Sequence, residues 1–175
     1  VSGNLNVVVG TNGKSFSVVG TTPDNFAMRT IGIQEGELFT DTDNTGRLRS
    51  AVIGYQTAID LFGDQPAVGQ TVLINSVPFR VVGVTEKKGS AGPGSSSDDT
   101  IYVPLTVAQE KLFANRGGGV NSVSQITVEA VDGDASAQVT QDIAEILRKQ
   151  HNLLFGQQDD FRVFDQSSTL STING

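Results

Sequence analysis

The stretch from Ala67 to Leu105 constrains this chain most: AVGQTVLINSVPFRVVGV, then TEKKGSAGPGSSSDD, then TIYVPL. β-Branched residues crowd between turn formers, which predicts a strand over Thr71–Ile74, a tight Asn75-Ser76 turn and a longer strand over Val77–Val84. From Glu86 to Asp99 the residues are Lys, Gly, Ser, Pro and Asp, with nothing to bury, so the chain runs through solvent before Ile101 re-enters the sheet. Loops past about 12–15 residues are uncommon unless functional. The Lys87–Asp99 loop is either a linker, which its composition slightly favours, or a contact arm, which its length favours, with Lys87, Lys88, Asp98 and Asp99 at its ends.

The flanking sequence follows the same grammar. Leu5, Val7 and Val9 alternate, Asn12-Gly13 offers a turn with positive φ, and Ser15–Val19 returns, which predicts an opening hairpin. Thr22 is a candidate helix cap before Pro23. Thr30–Phe39 reads as a strand interrupted at Gly36, and Asp41–Gly46 as an exposed turn. Ser50–Gly54 reads as a short buried strand feeding a helix over Tyr55–Phe62, with Ala58, Ile59 and Phe62 on one face and Gly63 as its stop. Thr106 and Gln109 have the spacing of a capping box ahead of VAQEKLFA, and the run Asn115-Arg116-Gly117-Gly118-Gly119 then breaks the chain.

From Ser122 the pattern becomes β-α-β: strand SQITVEAV, turn Asp132-Gly133-Asp134, a helix over Ser136–Asn152 and strand DFRVFDQ. Val139, Ile143, Ile146, Leu147 and Leu154 fall near one stripe of that helix, and Arg148, Lys149 and His151 complement its C-terminal dipole. The fold class is α+β. A β-rich lobe with hairpins and two short helices occupies residues 1–120, a smaller α/β lobe residues 121–167, and a polar tail residues 168–175.

Charge and composition exclude several functions. A formal net charge of −7 repels nucleic acid and anionic lipid headgroups. The absence of cysteine removes disulfides, thiolate metal sites and cysteine nucleophiles, and a single histidine removes multi-histidine metal sites. The chain starts at Val1, carries no cleavable leader pattern and has no apolar run near the ~20 residues of a membrane span, so it reads as a window cut from a longer protein.

Three motifs fail on context. Gly10–Ser15 reads GTNGKS, but a phosphate-binding loop needs glycine where Val8 stands and a helix after Lys14, whereas Ser15 opens a strand. Asp41-x-Asp43-x-Thr45-Gly46 resembles the start of a calcium loop, yet Val52 occupies the place of its bidentate glutamate. No Gly-x-Ser-x-Gly elbow exists for His151 to serve, and the carboxylates Glu35, Glu37, Asp98 and Asp99 are read as solvated surface.

Four segments taken in order carry a resemblance: VVGTTPDNFAMRTIGIQEGELFTDTD (Val18–Asp43), SAVIGYQTAIDLFGDQPAVGQTVLINSVPFRVVGV (Ser50–Val84), DDTIYVPLTVAQEKLF (Asp98–Phe113), and the closing ITVEA, EILRKQHNL and DFRV. Together they resemble the extracytoplasmic, periplasmic core domain of MacB-type, FtsX-like ABC-transporter permeases. The resemblance implies a non-catalytic domain on the outer face of the cytoplasmic membrane, periplasmic or extracellular, membrane-anchored in the full-length protein, with residues 168–175 leading to a membrane helix. It implies no cofactor and no metal in the domain, ATP being bound by a separate cytoplasmic ATPase domain or subunit. The partners it implies are the permease transmembrane region and its dimer mate, the cognate ATPase, and in tripartite pumps a membrane-fusion adaptor. The family pattern also has a strand and helix ahead of SGNLNVVVG, which this chain does not contain. The function implied is coupling of ATP-driven motion to export or envelope mechanotransmission by binding adaptor or substrate. Candidate partner contacts are Lys87, Lys88, Asp98, Asp99, Asn115, Arg116 and Arg148. The competing reading is a secreted β-rich module for protein or glycan, which would be expected to cluster exposed aromatics; the chain has no Trp.

Overall fold

The computed structural model describes residues 1–89, 97–114, 122–130 and 136–164. Two compact units divide at Thr127/Val128.

In the first unit, β1 (Ser2–Val9) and β2 (Asn12–Thr21) form the opening hairpin. Its turn is Gly10-Thr11 rather than Asn12-Gly13: Val9 pairs with Asn12, and Gly10 takes a φ of 58°. Glycine meets that left-handed requirement without a Cβ clash, and this lets Asn12 and Gly13 join the ladder. The second hairpin is as the sequence predicts, β5 (Thr71–Ile74) and β6 (Val77–Thr85) joined through Asn75 and Ser76 at φ 49° and 67°.

Three further strands, β3 (Ile33–Gly36), β4 (Ser50–Ile53) and β7 (Thr100–Pro104), complete a seven-stranded sheet in the order β3-β6-β4-β7-β2-β1-β5. Because β5 also pairs with β6, six of these strands close into a barrel and β3 lies outside the ring on β6. Closure removes the exposed edges that an open sheet would leave. β6 bridges the seam. Its first half pairs with β5, and from Arg80 on it runs parallel to β4. The register slips between Ala51 and Val52, and at that bulge the Val82 carbonyl accepts the Glu37 N–H at 2.9 Å. Gly83 follows because a Cβ there would overlap the Glu37 carbonyl.

Alternation sorts the side chains. Val7, Phe16, Val18, Ala51, Ile53, Val72, Phe79, Val81, Ile101 and Val103 fill one buried cluster. Val52 and Tyr102, of opposite parity on β4 and β7, join Phe26, Ile31 and Phe39 in a second. Phe26 sits at its centre, edge-on to Phe39 and to Tyr102 with ring centroids 5.2 Å apart in both pairs.

The helices are short. α1 (Asp24–Met28) starts after Pro23, and no side-chain cap is formed, so Thr22 does not serve as the expected cap. Asp41–Thr45 is a helical turn, α2, and not an irregular loop: Thr40 and Asp43 form a capping box that satisfies its first amides. α3 (Tyr55–Phe62) has the predicted bounds and stops at Gly63, but its face is rotated. Thr57 and Leu61 are buried, Ala58 and Phe62 pack at the edge of the core, and Ile59 is 43% exposed. α4 (Leu105–Val107) passes into a π-turn over Ala108–Leu112. The capping box expected of Thr106 and Gln109 does not form, because tertiary partners take both side chains: the Thr106 hydroxyl donates to the Asn44 carbonyl and Gln109 Nε2 to Ser122 O at 2.9 Å.

The second unit contains α5 (Ser136–Gln150), two residues shorter than the predicted helix. Neither predicted flanking strand, SQITVEAV or DFRVFDQ, has ladder pairing among the described residues. An extended segment becomes a strand only when a neighbour takes its N–H and C=O groups, and no described segment does so here. Ile146 and Leu154 of the predicted apolar stripe, and Phe164 of the predicted strand, are accordingly exposed. The tail at 168–175 lies outside the described residues.

Candidate docking site at the stem of the Lys87–Asp99 loop

β6 ends with Thr85, and the Glu86 amide bonds Gly32 O at 2.9 Å, so the outgoing strand is tied to the chain entering β3. Two residues later the path is set by one carboxylate. Asp98 accepts the Lys88 N–H at 2.9 Å through Oδ1 and the Gly89 N–H at 2.8 Å through Oδ2. Both strands of the loop stem are thereby joined. Charge-assisted bonds of this kind are roughly twice as strong as neutral ones, and Asp98 is only 6% exposed. Its own carbonyl accepts from the buried Thr57 hydroxyl at 3.4 Å and presses against Gly54, which has no room for a Cβ on that side.

The lysines face outward. Lys87 Nζ lies 5.5 Å from the centre of the Tyr55 ring, a cation–π contact that holds the head group beside α3. Lys88 Nζ donates to Arg29 O at 2.5 Å and links the stem to the end of α1. Arg29 in turn donates through Nε to the Oδ1 of buried Asn25 at 3.1 Å. Beneath this layer is Tyr102. Burial pushes its phenol pKa up, an effect the Arg29 charge and a hydrogen bond with Thr100 oppose and the Asp98 charge reinforces.

The residues of the stem are therefore not alike. Lys87, Lys88 and Asp99 are exposed, whereas Asp98 is a buried clasp. Asn115 and Arg116 lie outside the described residues. Arg148, in the second unit, spends its guanidinium internally, on the Asp159 carboxylate and on the carbonyls of Leu154 at 2.8 Å and Gln157 at 3.0 Å. His151 pairs with Asp160 at 2.7 Å and meets Phe161 edge-on. Nothing in the local pattern around Thr57, Asn25 or Arg29 marks them as members of the stem. Their roles arise from contacts between segments far apart in the chain.

The remaining motifs resolve as structure. Lys14 belongs to β2, ion-pairs with Asp60 and lies over Phe16, as a strand residue and not a phosphate ligand. Asp41 and Asp43 open α2, where Asp43 is committed to Thr40. Among the described residues, no group of three or more His, Asp or Glu is placed to hold a metal ion, and no helix is long and apolar enough to cross a membrane.

Residues 1–146 match the family described as the MacB-like periplasmic core domain. The chain is 34% identical over 158 residues to the macrolide export ATP-binding/permease protein MacB of Bdellovibrio bacteriovorus, covering 90% of this chain and 23% of that protein. It is 36% identical over 128 residues to the pyoverdine export ATP-binding/permease protein PvdT of Pseudomonas syringae pv. tomato, covering 73% of this chain and 18% of that protein. The periplasmic region of MacB from Actinobacillus actinomycetemcomitans shares the fold at a TM-score of 0.80 and 23% identity, over 99% of this chain and 72% of that one. The extracellular domain of the transporter YknZ from Gram-positive bacteria does so at 0.76 and 20%, over 94% and 78%. The chain thus spans about a quarter or less of the curated relatives' length. These matches define the class first: an extracytoplasmic domain of ABC-transporter permeases. Within that class, the chain belongs to the MacB-like periplasmic core domain family.

Proposed function

We propose that this chain is the non-catalytic extracytoplasmic domain of a permease that couples ATP-driven motion in the cell to export or to work on the envelope. The observation that carries the reading is the family match over residues 1–146. ATP is bound elsewhere, by a cytoplasmic ATPase domain or subunit, and the domain itself holds no cofactor. A barrel closed through the β5–β6 pairing is suited to pass a displacement on as a rigid body, since sliding any strand would break ladder bonds on both its edges. The exposed stem residues Lys87, Lys88 and Asp99, with Asn115, Arg116 and Arg148, are proposed contacts for an adaptor or for the dimer mate.

The test is the complete reading frame that contains this chain. One apolar span of ~20 residues upstream and three downstream supports the permease reading. A cleavable leader with no spans overturns it. In the full-length protein, charge reversal at Lys87 and Lys88 is expected to lower export while leaving basal ATP hydrolysis intact; unchanged export removes these residues from the contact surface.

A further inference from the structure

β3 is the strand that lies outside the barrel ring, and it pairs with β6 on one side only. The Glu86 N–H donates to Gly32 O and the Glu37 N–H to Val82 O, both at 2.9 Å, and between these bonds Ile33 stands opposite Thr85 in a non-hydrogen-bonded pair. In such a pair the residue's own N–H and C=O point away from the partner strand. Ile33 therefore turns one donor and one acceptor toward the open side, and no residue from Ile33 to Gly36 finds a hydrogen-bond partner there among the described residues. Ile33 and Gln34 are half-buried and Glu35 and Gly36 exposed, so solvent reaches this edge. It does not adjoin the start of the chain, where Val1 bonds Gly20 near the end of β2, four strands away in the sheet order.

An unpaired edge is a template for another chain, and natural sheets guard it by shortness, bulges and charge. β3 shows all three: four residues, a register shift between Ile33 and Glu35, and glutamates at 35 and 37. The guard is selective. Like charges placed opposite each other across strands are destabilising, whereas opposite charges attract. Glu35 and Glu37 are exposed, and at the other end of the strand the Glu86 carboxylate lies against Gly32, where a Cβ would overlap it. None of these three carboxylates has an ion-pair or hydrogen-bond partner among the described residues. A second copy of the chain on this edge would set Glu35 and Glu37 against glutamates, in a molecule of net charge −7.

We propose that the open edge of β3 accepts an extended, lysine- or arginine-bearing segment of a partner protein as an added strand, with main-chain bonds to Ile33 and cationic side chains on Glu35, Glu37 and Glu86. In this mode main-chain bonds supply affinity and side chains supply selectivity. The short edge offers few such bonds, so the contact is weak and reversible. Its place in a transporter rests on the permease reading above; strand addition does not, and is measured on the chain alone.

The experiment adds three capped hexapeptides: alternating lysine and valine, alternating glutamate and valine, and the lysine–valine peptide methylated at every backbone nitrogen. Backbone amide shifts and hydrogen exchange are followed at Ile33–Gly36. The lysine–valine peptide is expected to saturate below about 1 mM, at least about tenfold more tightly than the other two, and to slow exchange at the Ile33 amide. The paired replacement Glu35→Lys and Glu37→Lys is expected to reverse the order of the lysine and glutamate peptides. Both positions are exposed, and circular dichroism verifies the fold. Equal binding of the methylated peptide would reduce the contact to charge attraction and overturn strand addition. Shifts centred away from β3, a peptide order that survives the double replacement, or no saturation below about 1 mM overturns it as well. So does Ile33 protection that grows with chain concentration in the absence of peptide, the mark of a second copy on the edge. Each of these results leaves the permease reading standing, because that reading depends on the flanking membrane spans.

Discussion

The Asp98 carboxylate accepts the backbone N–H of Gly89 at 2.8 Å across the mouth of the loop that follows β6, and takes that of Lys88 beside it. One residue on, Asp99 is exposed. Adjacent aspartates thus have unlike duties. Asp98→Ala is expected to lower unfolding free energy by about 1–3 kcal/mol, the cost of losing two charge-assisted bonds to part-buried amides, and to accelerate hydrogen exchange at Lys88 and Gly89. Asp99→Ala stays within about 0.5 kcal/mol. Urea denaturation of the two variants decides; equal effects would remove Asp98 as the clasp.

Asn44 and Thr106 tie α2 to α4. The Thr106 N–H donates to Asn44 Oδ1 at 3.1 Å, and its hydroxyl donates to the Asn44 carbonyl. The hydroxyl also lies 3.2 Å from Asn44 Oδ1, the one bond that joins the two side chains, and a double-mutant cycle with Asn44→Ala and Thr106→Val, which isolates that bond, is expected to return a coupling of about 0.5 kcal/mol or more. Additive losses would show that the two helices are fixed by other contacts.

Phe26 joins two aromatic neighbours edge-on in the second cluster, where it is 1% exposed. Phe26→Ala is expected to cost about 3–5 kcal/mol from the lost side chain and the cavity left behind. Leu73→Ala, at a position 40% exposed on β5, stays near neutral by the same urea measurement.

Tyr102 sets an alkaline limit. Its folded pKa is raised above the ordinary value of 10.0, first by burial. The unfolded chain therefore releases this proton at lower pH than the folded one. The stabilisation is whole below the unfolded pKa and is lost as pH rises from there through the folded pKa. Tyr102→Phe is expected to flatten the fall in melting temperature above about pH 10. A slope identical to that of the unsubstituted chain would show that the phenol titrates as freely as an exposed one.

Gly83 leaves room for the Glu37 carbonyl at the β6 bulge. Gly83→Ala is expected to cost about 1–3 kcal/mol, the usual range for an overpacked site. Thermal unfolding measures it, and Gly13→Ala, at a strand position with ordinary contact distances, serves as the comparison.

Local chemistry alone determined much of this domain. β-Branched runs between turn formers placed β5 and β6, and the αL-tolerant Asn75-Ser76 pair fixed their register. The apolar face and stop signal bounded α3, and an ordered series of short segments identified the family. These are short-range preferences, so they are written in adjacent residues. Barrel closure is not, because it depends on β6 pairing with β5 through its first half and with β4 through its second. The choice of Gly10-Thr11 over Asn12-Gly13 was set by the register of the ladder, in which Leu5 pairs with Phe16 and Val9 with Asn12. The capping box of Thr106 and Gln109 gave way to partners from α2 and Ser122. Asp98 and Asp99 are chemically identical in the sequence, and only the fold brings Lys88, Gly89 and Thr57 around one of them. A side chain's type fixes which bonds it is able to make, and the tertiary structure decides which of its potential partners arrive.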